Sequence, residues 1–483
     1  MPQDLRTFLD QLLRTYPEQL KVVESEVSPE FEATAIVDRM EDDPVRFPGF
    51  PAVLFKNIGG AEMPLLLNLH ATYERLALSI GTDVKGMVPA YAAREGQRIP
   101  TVTVGADAAP VQEVVLTGDD IDVGRLPMLI HNELDAGKYI TSAAALMKDP
   151  DSGKLNAGIF RHQYQGPKQI GIQVNPAHHT GYILRRLREM RKPAEVALVI
   201  GHHPAVLMGA VSKLEGIGGE MEVAGGLMGE ALEMVQARTV DLQVPARAEI
   251  IIEGIIDTDP EATQVEGPFG EYPRYYTRTG PQPFIKITAI TMRAKPIFVD
   301  VFNAHTEHSM LGALPRMGSI YRRVKEAMPT VTAVNLPLSG LARSHLYISM
   351  KKRVEGEPKV AAVAALAVDP LLKHIFVVDD DVVVFNETDT LMSMVTRFQA
   401  DRDLTIMPNF LGGHLNPVTY GFHREEKGPM ETKLIFDMTR PAAPETFPPM
   451  CRVPPEVVAR VSPESVVHSL PSGATIASLV EGQ

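Results

Sequence analysis

Two runs rich in β-branched residues, 248–256 and 284–292, constrain this chain most, because side chains of that shape favour extended, half-buried backbone. They predict a pair of strands. Between them lies Glu266-Gly267-Pro268-Phe269-Gly270-Glu271. Gly267 and Gly270 permit sharp turning and close approach of a ligand, while Pro268 fixes one dihedral and removes a donor. Two carboxylates are thereby held on one stiffened loop, and rigid flanking strands make its geometry reproducible. An apolar ring beside a carboxyl favours its neutral form, and a nearby cation keeps it ionised, so such a loop suits acid and base chemistry. The competing reading is a Gly/Pro turn with two solvated acids.

The rest of the pattern predicts an α+β or α/β multidomain protein. Leu5, Phe8, Leu9, Leu12 and Leu13 recur at helical spacing. Residues 29–39 read as a second helix with Ser28 as N-cap, 52–58 as a strand ending at Gly59-Gly60, and 65–80 as an amphipathic helix. These make an N-terminal α/β domain over 1–110, whose polar, Pro-containing end runs from 99 to 112. Residues 111–317 are mostly strands (141–147, 158–163, 169–174, 196–200), with helical spacing over 179–190. From 318 to 440 helix and strand alternate at 320–327, 330–334, 345–349, 358–367, 375–378 and 388–398, which predicts a sheet covered by helices. A Pro-rich tail, 441–483, ends in a helix or strand near 474–480.

With 483 residues, 45% of them hydrophobic, the chain can bury one large core or two to three smaller ones. No apolar run approaches the roughly 18 residues of a membrane helix, and the start lacks the basic flank and apolar stretch of a signal peptide, so a cytoplasmic protein is expected. The single cysteine, Cys451, excludes an intrachain disulfide and cysteine-rich metal sites. A metal must therefore draw on His, Asn and carboxylates. A net charge of -13 argues against a nucleic-acid surface.

In Asn156-Ala157-Gly158-Ile159-Phe160-Arg161, alternation puts Ile159 and Arg161 on one strand face with Asn156 at its entry. A guanidinium on such a strand needs a partner, and Glu266 suits a two-bond grip; the alternative is a surface ion pair worth ~0–1 kcal/mol. His178-His179 lies at a strand-to-helix junction, where neighbours point apart and at most one can be a ligand. Asn156, His178 and Glu220 together offer a carbonyl oxygen, an imidazole nitrogen and a carboxylate, a set suited to Mn²⁺ or Mg²⁺ on a phosphate rather than to structural zinc. The glycine-rich turn before Glu220 is no dinucleotide fingerprint, because Met221 stands where its third glycine belongs. In Ser349-Met350-Lys351-Lys352-Arg353, a lysine reaching a phosphate competes with a plain solvated face.

Taken in order, these elements resemble the UbiD-type reversible decarboxylases, which use prenylated FMN. The match runs through Asn156 to Arg161, Pro176-Ala177-His178, Glu215-Gly216 with Glu220 and Gly225, the Glu266 to Glu271 run and Ser349 to Arg353. It continues through Val377-Val378-Asp379, Thr396-Arg397 and Asp401-Arg402-Asp403. The resemblance implies a central split β-barrel that binds the flavin over 111–317, a C-terminal oligomerisation domain over 318–440, and a last segment packing across to close the unit. It implies that Arg161, Glu266 and Glu271 form the catalytic network. Asn156, His178 and Glu220 would hold a divalent metal, typically Mn²⁺, on the flavin phosphate, beside a K⁺ bound partly by backbone carbonyls near 207–211. Lys352 would contact that phosphate, and Ile159 and Phe160 would join Asn156 and Arg161 along the cofactor.

Losing CO₂ from an sp² carbon demands an electron sink that no side chain supplies, which a modified flavin provides. The substrate carbon must then be protonated, a role the resemblance gives to Glu271. The segment Glu307 to Arg316 is similar to that of members acting on aromatic or heteroaromatic acids. Leu311, Leu314, Phe410 and Leu411 are either a flat apolar pocket or core. The implied partners are a carboxylic acid and CO₂, a flavin prenyltransferase supplying cofactor, and further copies of the chain in a homodimer or homohexamer. The alternatives are a conventional flavin oxidoreductase, a metal-dependent hydrolase using His178 and Glu220, or a non-catalytic assembly protein.

Overall fold

The two β-branched runs form neighbouring antiparallel strands, Ile250–Ile256 and Phe284–Met292. Ile250, Ile251, Ile252 and Ile256 are buried, each contributing about 1.5–3 kcal/mol relative to exposure. Glu253 is buried among them, and its carboxylate accepts from the N–H groups of Arg238 (2.8 Å) and Thr239 (2.6 Å) and from the Thr239 hydroxyl (2.7 Å). A carboxylate so satisfied can stay buried. The computed structural model describes residues 2–213, 216–419, 428–443 and 446–467.

These strands lie inside a nine-stranded sheet of order Tyr139–Ile140, His162–Gly166, Gln169–Gly171, Phe284–Met292, Ile250–Ile256, Ala194–Ile200, Ala144–Lys148, Leu155–Ile159; Val114–Thr117 also pairs with Phe284–Met292. Its two ends belong to one hairpin ribbon. Ile140 pairs with His162, and Ala144 with Ile159, leaving residues 141–143 opposite 160–161, three against two. One half of the ribbon bonds Ala194–Ile200 and the other Gln169–Gly171, so the ribbon closes the sheet into a split barrel. The single strand expected over 158–163 is therefore two, Leu155–Ile159 and His162–Gly166. Arg161 occupies the break, where the chain changes partner, and does not share a strand face with Ile159.

The N-terminal segment builds a four-stranded sheet from Leu20–Val27, Ala52–Ile58, Leu65–Leu67 and the distant Phe298–Val299. Helix Leu5–Thr15 is capped by Asp4, which accepts from the Thr7 N–H at 2.9 Å, and it buries Leu5, Phe8 and Leu12. Two expectations need correction. The second helix is Glu32–Glu41 rather than 29–39, and Ser28 serves the preceding turn by accepting from the Glu30 N–H at 3.1 Å. Residues 65–80 are not one helix: Leu65–Leu67, buried on both faces, is a strand, and Tyr73–Ser79 starts at a Thr72 cap. A short leucine run fits either period, and sheet pairing decides it.

The C-terminal sheet has order Val331–Asn335, His345–Met350, His374–Asp379, Met430–Met438, Leu404–Leu411, packed against helices Ala313–Ala327 and Glu357–Val368. Residue 317 lies within helix Ala313–Ala327. Leu314, Met317 and Ile320 share a core with Met87 and Tyr91 of the N-terminal segment and with Val223 and Leu227 of the central one. Residues Met1–Thr439 accordingly form one compact unit. The second unit, from Arg440 onward, contains helices Pro455–Arg460 and Pro463–Val466; the element expected near 474–480 lies outside the described residues. Among the described residues no helix is long and apolar enough to cross a membrane.

Three buried imidazoles set an acid limit on this fold. Burial lowers the pKa of His162 to about 4, of His202 to about 3 and of His203 to about 4. Each folded pKa lies below the unfolded value near 6.5, so the unfolded chain binds more protons. Their contribution is complete above about pH 6.5 and is lost as pH falls towards 4, at up to about 1.4 kcal/mol per pH unit for each ring. The urea midpoint is expected to drop steadily between pH 6.5 and 4.5; a flat profile would refute neutral burial of these rings.

Candidate active site

Strand Gln264–Glu266 pairs with Gly280–Gln282, and the loop of paired acids projects from this short ribbon. Gly267 has φ +83°, a conformation L side chains rarely adopt, and the Gly267–Pro268 peptide is cis. The turn sends Phe269 into the interior, 2% exposed, its ring 4.7 Å from that of Tyr139. The Arg161 guanidinium lies 4.8 Å from the Phe269 ring centre, within cation–π range.

From the break in the ribbon, Arg161 reaches both acids. Its Nε and Nη2 donate to Glu266 Oε1 and Oε2 at 2.8 and 2.7 Å, and its Nη1 donates to Glu271 Oε1 at 2.8 Å. Tyr139 adds a hydroxyl bond to Glu266 Oε1 at 3.2 Å. Burial works against the charge of Arg161, but the Glu266 bonds and the Glu271 charge outweigh it and raise its pKa. Burial, then the Glu266 carboxylate, raises that of the Tyr139 hydroxyl. Side-chain exposure is 2% for Glu266, 8% for Arg161 and 14% for Glu271, so Glu271 is the member that opens most towards solvent.

Facing Glu271 is His308, with Nε2 3.9 Å from Oε2, too long for a hydrogen bond. Its Nδ1 accepts from the Ala304 N–H at 3.3 Å, so the neutral ring carries its proton on Nε2, towards Glu271. Burial, then the Arg343 and Arg161 charges, lowers the His308 pKa to about 3. The adjacent Glu307 pins this helix, accepting from the N–H groups of Asn68 (2.8 Å), His70 (3.0 Å) and Phe302 (3.1 Å). Arg343 stacks on Tyr272, 4.4 Å from the ring centre, and burial followed by the nearby Arg316 charge lowers its pKa to about 10. Among the described residues its Nε has no partner. Arg316 pairs with Asp369, and Lys213 feels the charges of both. The wall beyond Glu271 is thus cationic.

A second group lies on strand Leu155–Ile159 and at the start of helix Glu220–Met228. Asn156 donates to Thr180 Oγ1 at 3.5 Å, but among the described residues its buried Oδ1 has no partner, nor does the buried Oε2 of Glu220. Burial pushes the Glu220 pKa up to about 7 despite the Ala157 N–H. Each buried oxygen left unpaired costs about 1–3 kcal/mol, which a hard cation would relieve. His178, at the N-cap of His179–Glu189, stands two residues from Thr180 and lines a 590 Å³ cavity with His179, Lys154 and Ile217. Loss of solvent, then the charge of Lys213, holds its pKa below the usual imidazole value. Among the described residues no three His, Cys, Asp or Glu side chains cluster as metal ligands, so a divalent ion here needs the Asn156 amide beside Glu220 and His178. By donor type, an amide oxygen, a carboxylate and an imidazole suit the Mn²⁺ that the family resemblance implies. Around 207–211 the helix Pro204–Ala210 ends; the Leu207 carbonyl already accepts from Val211 and that of Gly209 from Ser212.

Lys352 pairs with Glu355 at 3.0 Å and lies near the Asp437 charge. Leu314 is a fully buried core residue and has no surface to offer a ligand, whereas Leu311 is 5% exposed. Phe410 and Leu411 sit on the edge strand Leu404–Leu411, Phe410 half-buried and Leu411 exposed. Ile159 and Phe160, both half-buried, lead into Arg161. Tyr139, Tyr272, Lys213 and Arg343 carry no signal in the sequence; of the cationic wall, only Arg316 lies in a motif, the segment Glu307 to Arg316.

Three comparisons bear on this geometry. The family models for the N-terminal, Rift-related and C-terminal domains of 3-octaprenyl-4-hydroxybenzoate carboxy-lyase match residues 13–95, 102–305 and 309–438. A phenolic acid decarboxylase of Sedimentibacter hydroxybenzoicus is 33% identical over 463 residues, covering 92% of this chain and 93% of that protein. An anhydromevalonate phosphate decarboxylase of Methanothermobacter thermautotrophicus is 32% identical over 442 residues, covering 91% and 97%. The UbiD-class enzyme HmfF of Pelotomaculum thermopropionicum in complex with FMN superposes with a TM-score of 0.87 at 34% identity, covering 96% of this chain and 100% of that one. An evolved dimeric form of HmfF, in complex with prenylated FMN, gives 0.84 at 33% identity over the same shares. With all three domain models matched in order across nearly the whole chain, this protein belongs to the UbiD family of carboxy-lyases.

Proposed function

We propose that the protein is a prenylated-FMN-dependent, reversible decarboxylase of aromatic, heteroaromatic or conjugated unsaturated acids. The observation that carries this reading is Arg161 bonded at once to Glu266 and Glu271, with Glu271 the most open of the three. When bound, the modified flavin supplies the electron sink that loss of CO₂ requires. The protein does the rest. Arg161 fixes Glu271 by one oxygen and leaves the other free to hold a proton, which Glu271 delivers to the substrate carbon after CO₂ departs. Glu266, saturated by Arg161 and Tyr139, keeps the guanidinium from turning. Arg343, Arg316 and neutral His308 provide a positive, hydrogen-bonding wall for a carboxylate substrate.

Asn156, His178 and Glu220 would hold a divalent cation, backbone carbonyls near 207–211 would hold K⁺, and Lys352 would supply positive charge for the cofactor phosphate. The relatives act on a phenolic acid and on a phosphorylated acid, and the cationic wall together with the Tyr272 ring favours a flat conjugated acid here. A homodimer or homohexamer, and supply of the cofactor by a flavin prenyltransferase, belong to the same reading. Co-production with such a prenyltransferase, followed by an aromatic-acid screen, is expected to give CO₂ release without any nicotinamide. Turnover only with a nicotinamide donor, or activity confined to saturated aliphatic acids, overturns it.

A further inference from the structure

We infer that Asp135 and Asn303 are positioning residues for Glu271, acting through the backbone of its loop; this rests on the role proposed for Glu271. Asp135 Oδ1 accepts from the Gly270 N–H at 2.8 Å, and Asn303 Nδ2 donates to the Gly270 carbonyl at 2.9 Å. That carbonyl belongs to the peptide unit whose N–H is Glu271's own, and this N–H donates to the Tyr275 carbonyl at 3.0 Å. The peptide before Glu271 is therefore tied at both ends. Two peptide units earlier, the Pro268 carbonyl accepts from the Ala136 N–H at 2.9 Å. Gly270 fills its space closely: a Cβ there would lie 2.9 Å from Asn132 Nδ2 and 3.0 Å from Ala304 Cβ.

The two side chains also hold each other. Asp135 Oδ2 accepts from the Asn132 N–H (3.0 Å), Asn132 Nδ2 (3.3 Å) and Asn303 Nδ2 (3.3 Å), and Asp135 and Asn303 are 9% and 0% exposed. Their hydrogen bonds go to the loop backbone and its neighbours and not to Arg161, Glu266 or Glu271 side chains. The carboxyl of Glu271 is aimed by Arg161; its Cα is placed by this clamp. Small displacements of a proton donor weigh heavily on rate.

The test uses holoenzyme variants D135N and N303A beside E271Q. In D135N, of nearly unchanged shape, an amide nitrogen must face either the Gly270 N–H or the three donors on the other side, so the grip fails. D135N and N303A are expected to lower kcat about 10- to 100-fold with KM little changed, to load flavin as the parent does, and to shift the kcat–pH profile. D135N should cause no further loss of solvent-deuterium incorporation in the E271Q background. Parent-like kcat and pH profile in both clamp variants, or equal fold losses from D135N in the parent and E271Q backgrounds, overturns the inference. If D135N does not accumulate folded, N303A, which leaves the charge unchanged, decides by the same criteria. Full activity of E271Q would instead remove the reading of Glu271 on which the clamp depends.

Discussion

Glu271→Gln is expected to retain bound flavin and to lose decarboxylation and solvent-deuterium incorporation by about 10²- to 10⁴-fold. Gln is nearly isosteric, and its amide oxygen can still accept from Arg161 Nη1, which holds the native side chain at 2.8 Å. The pocket therefore keeps its shape, and what disappears is an exchangeable acid proton at the more open end of the network. Cofactor content read from the absorption spectrum separates this from a binding defect. Parent-like deuterium incorporation in this variant would falsify the assignment of Glu271 as proton donor.

Arg161→Leu is expected to remove activity and also to destabilise the fold by about 3–5 kcal/mol, because it strands the Glu266 carboxylate in a site only 2% exposed. The penalty belongs to the buried charge left behind rather than to one lost contact. Arg161→Lys should recover part of the stability and little of the activity: an ammonium is a point charge and cannot bond three carboxylate oxygens in the directions a planar guanidinium does. Urea denaturation at pH 7 measures the first effect and CO₂ release the second. An Arg161→Leu protein as stable as the parent would show that Glu266 finds another partner.

Much of this was legible along the chain because local chemistry and tertiary structure agree there. The β-branched runs became strands close to the expected bounds, and the Gly/Pro spacing of the acid loop announced a constrained turn. The need of an interior arginine for a carboxylate pointed from Arg161 to Glu266, 105 positions away. What escaped was set by distant partners. No Gly or Pro between Ile159 and Gln163 marks a stop, and only pairing with opposite ends of the sheet breaks the strand at Arg161. Tyr139 and Arg343 carry no local signal; they matter because the barrel and the C-terminal sheet bring them beside residues far off in sequence. The Leu65–Leu67 run was ambiguous in period, and Leu314 could not be told from a pocket residue until its neighbours on all sides were known.

The break in the hairpin ribbon has a further consequence. The same short stretch both seals the ring of strands and presents the guanidinium, so an event that unzips the seam also withdraws the cation from its two acids. Closure of the ring and assembly of the charged trio are thus a single structural event.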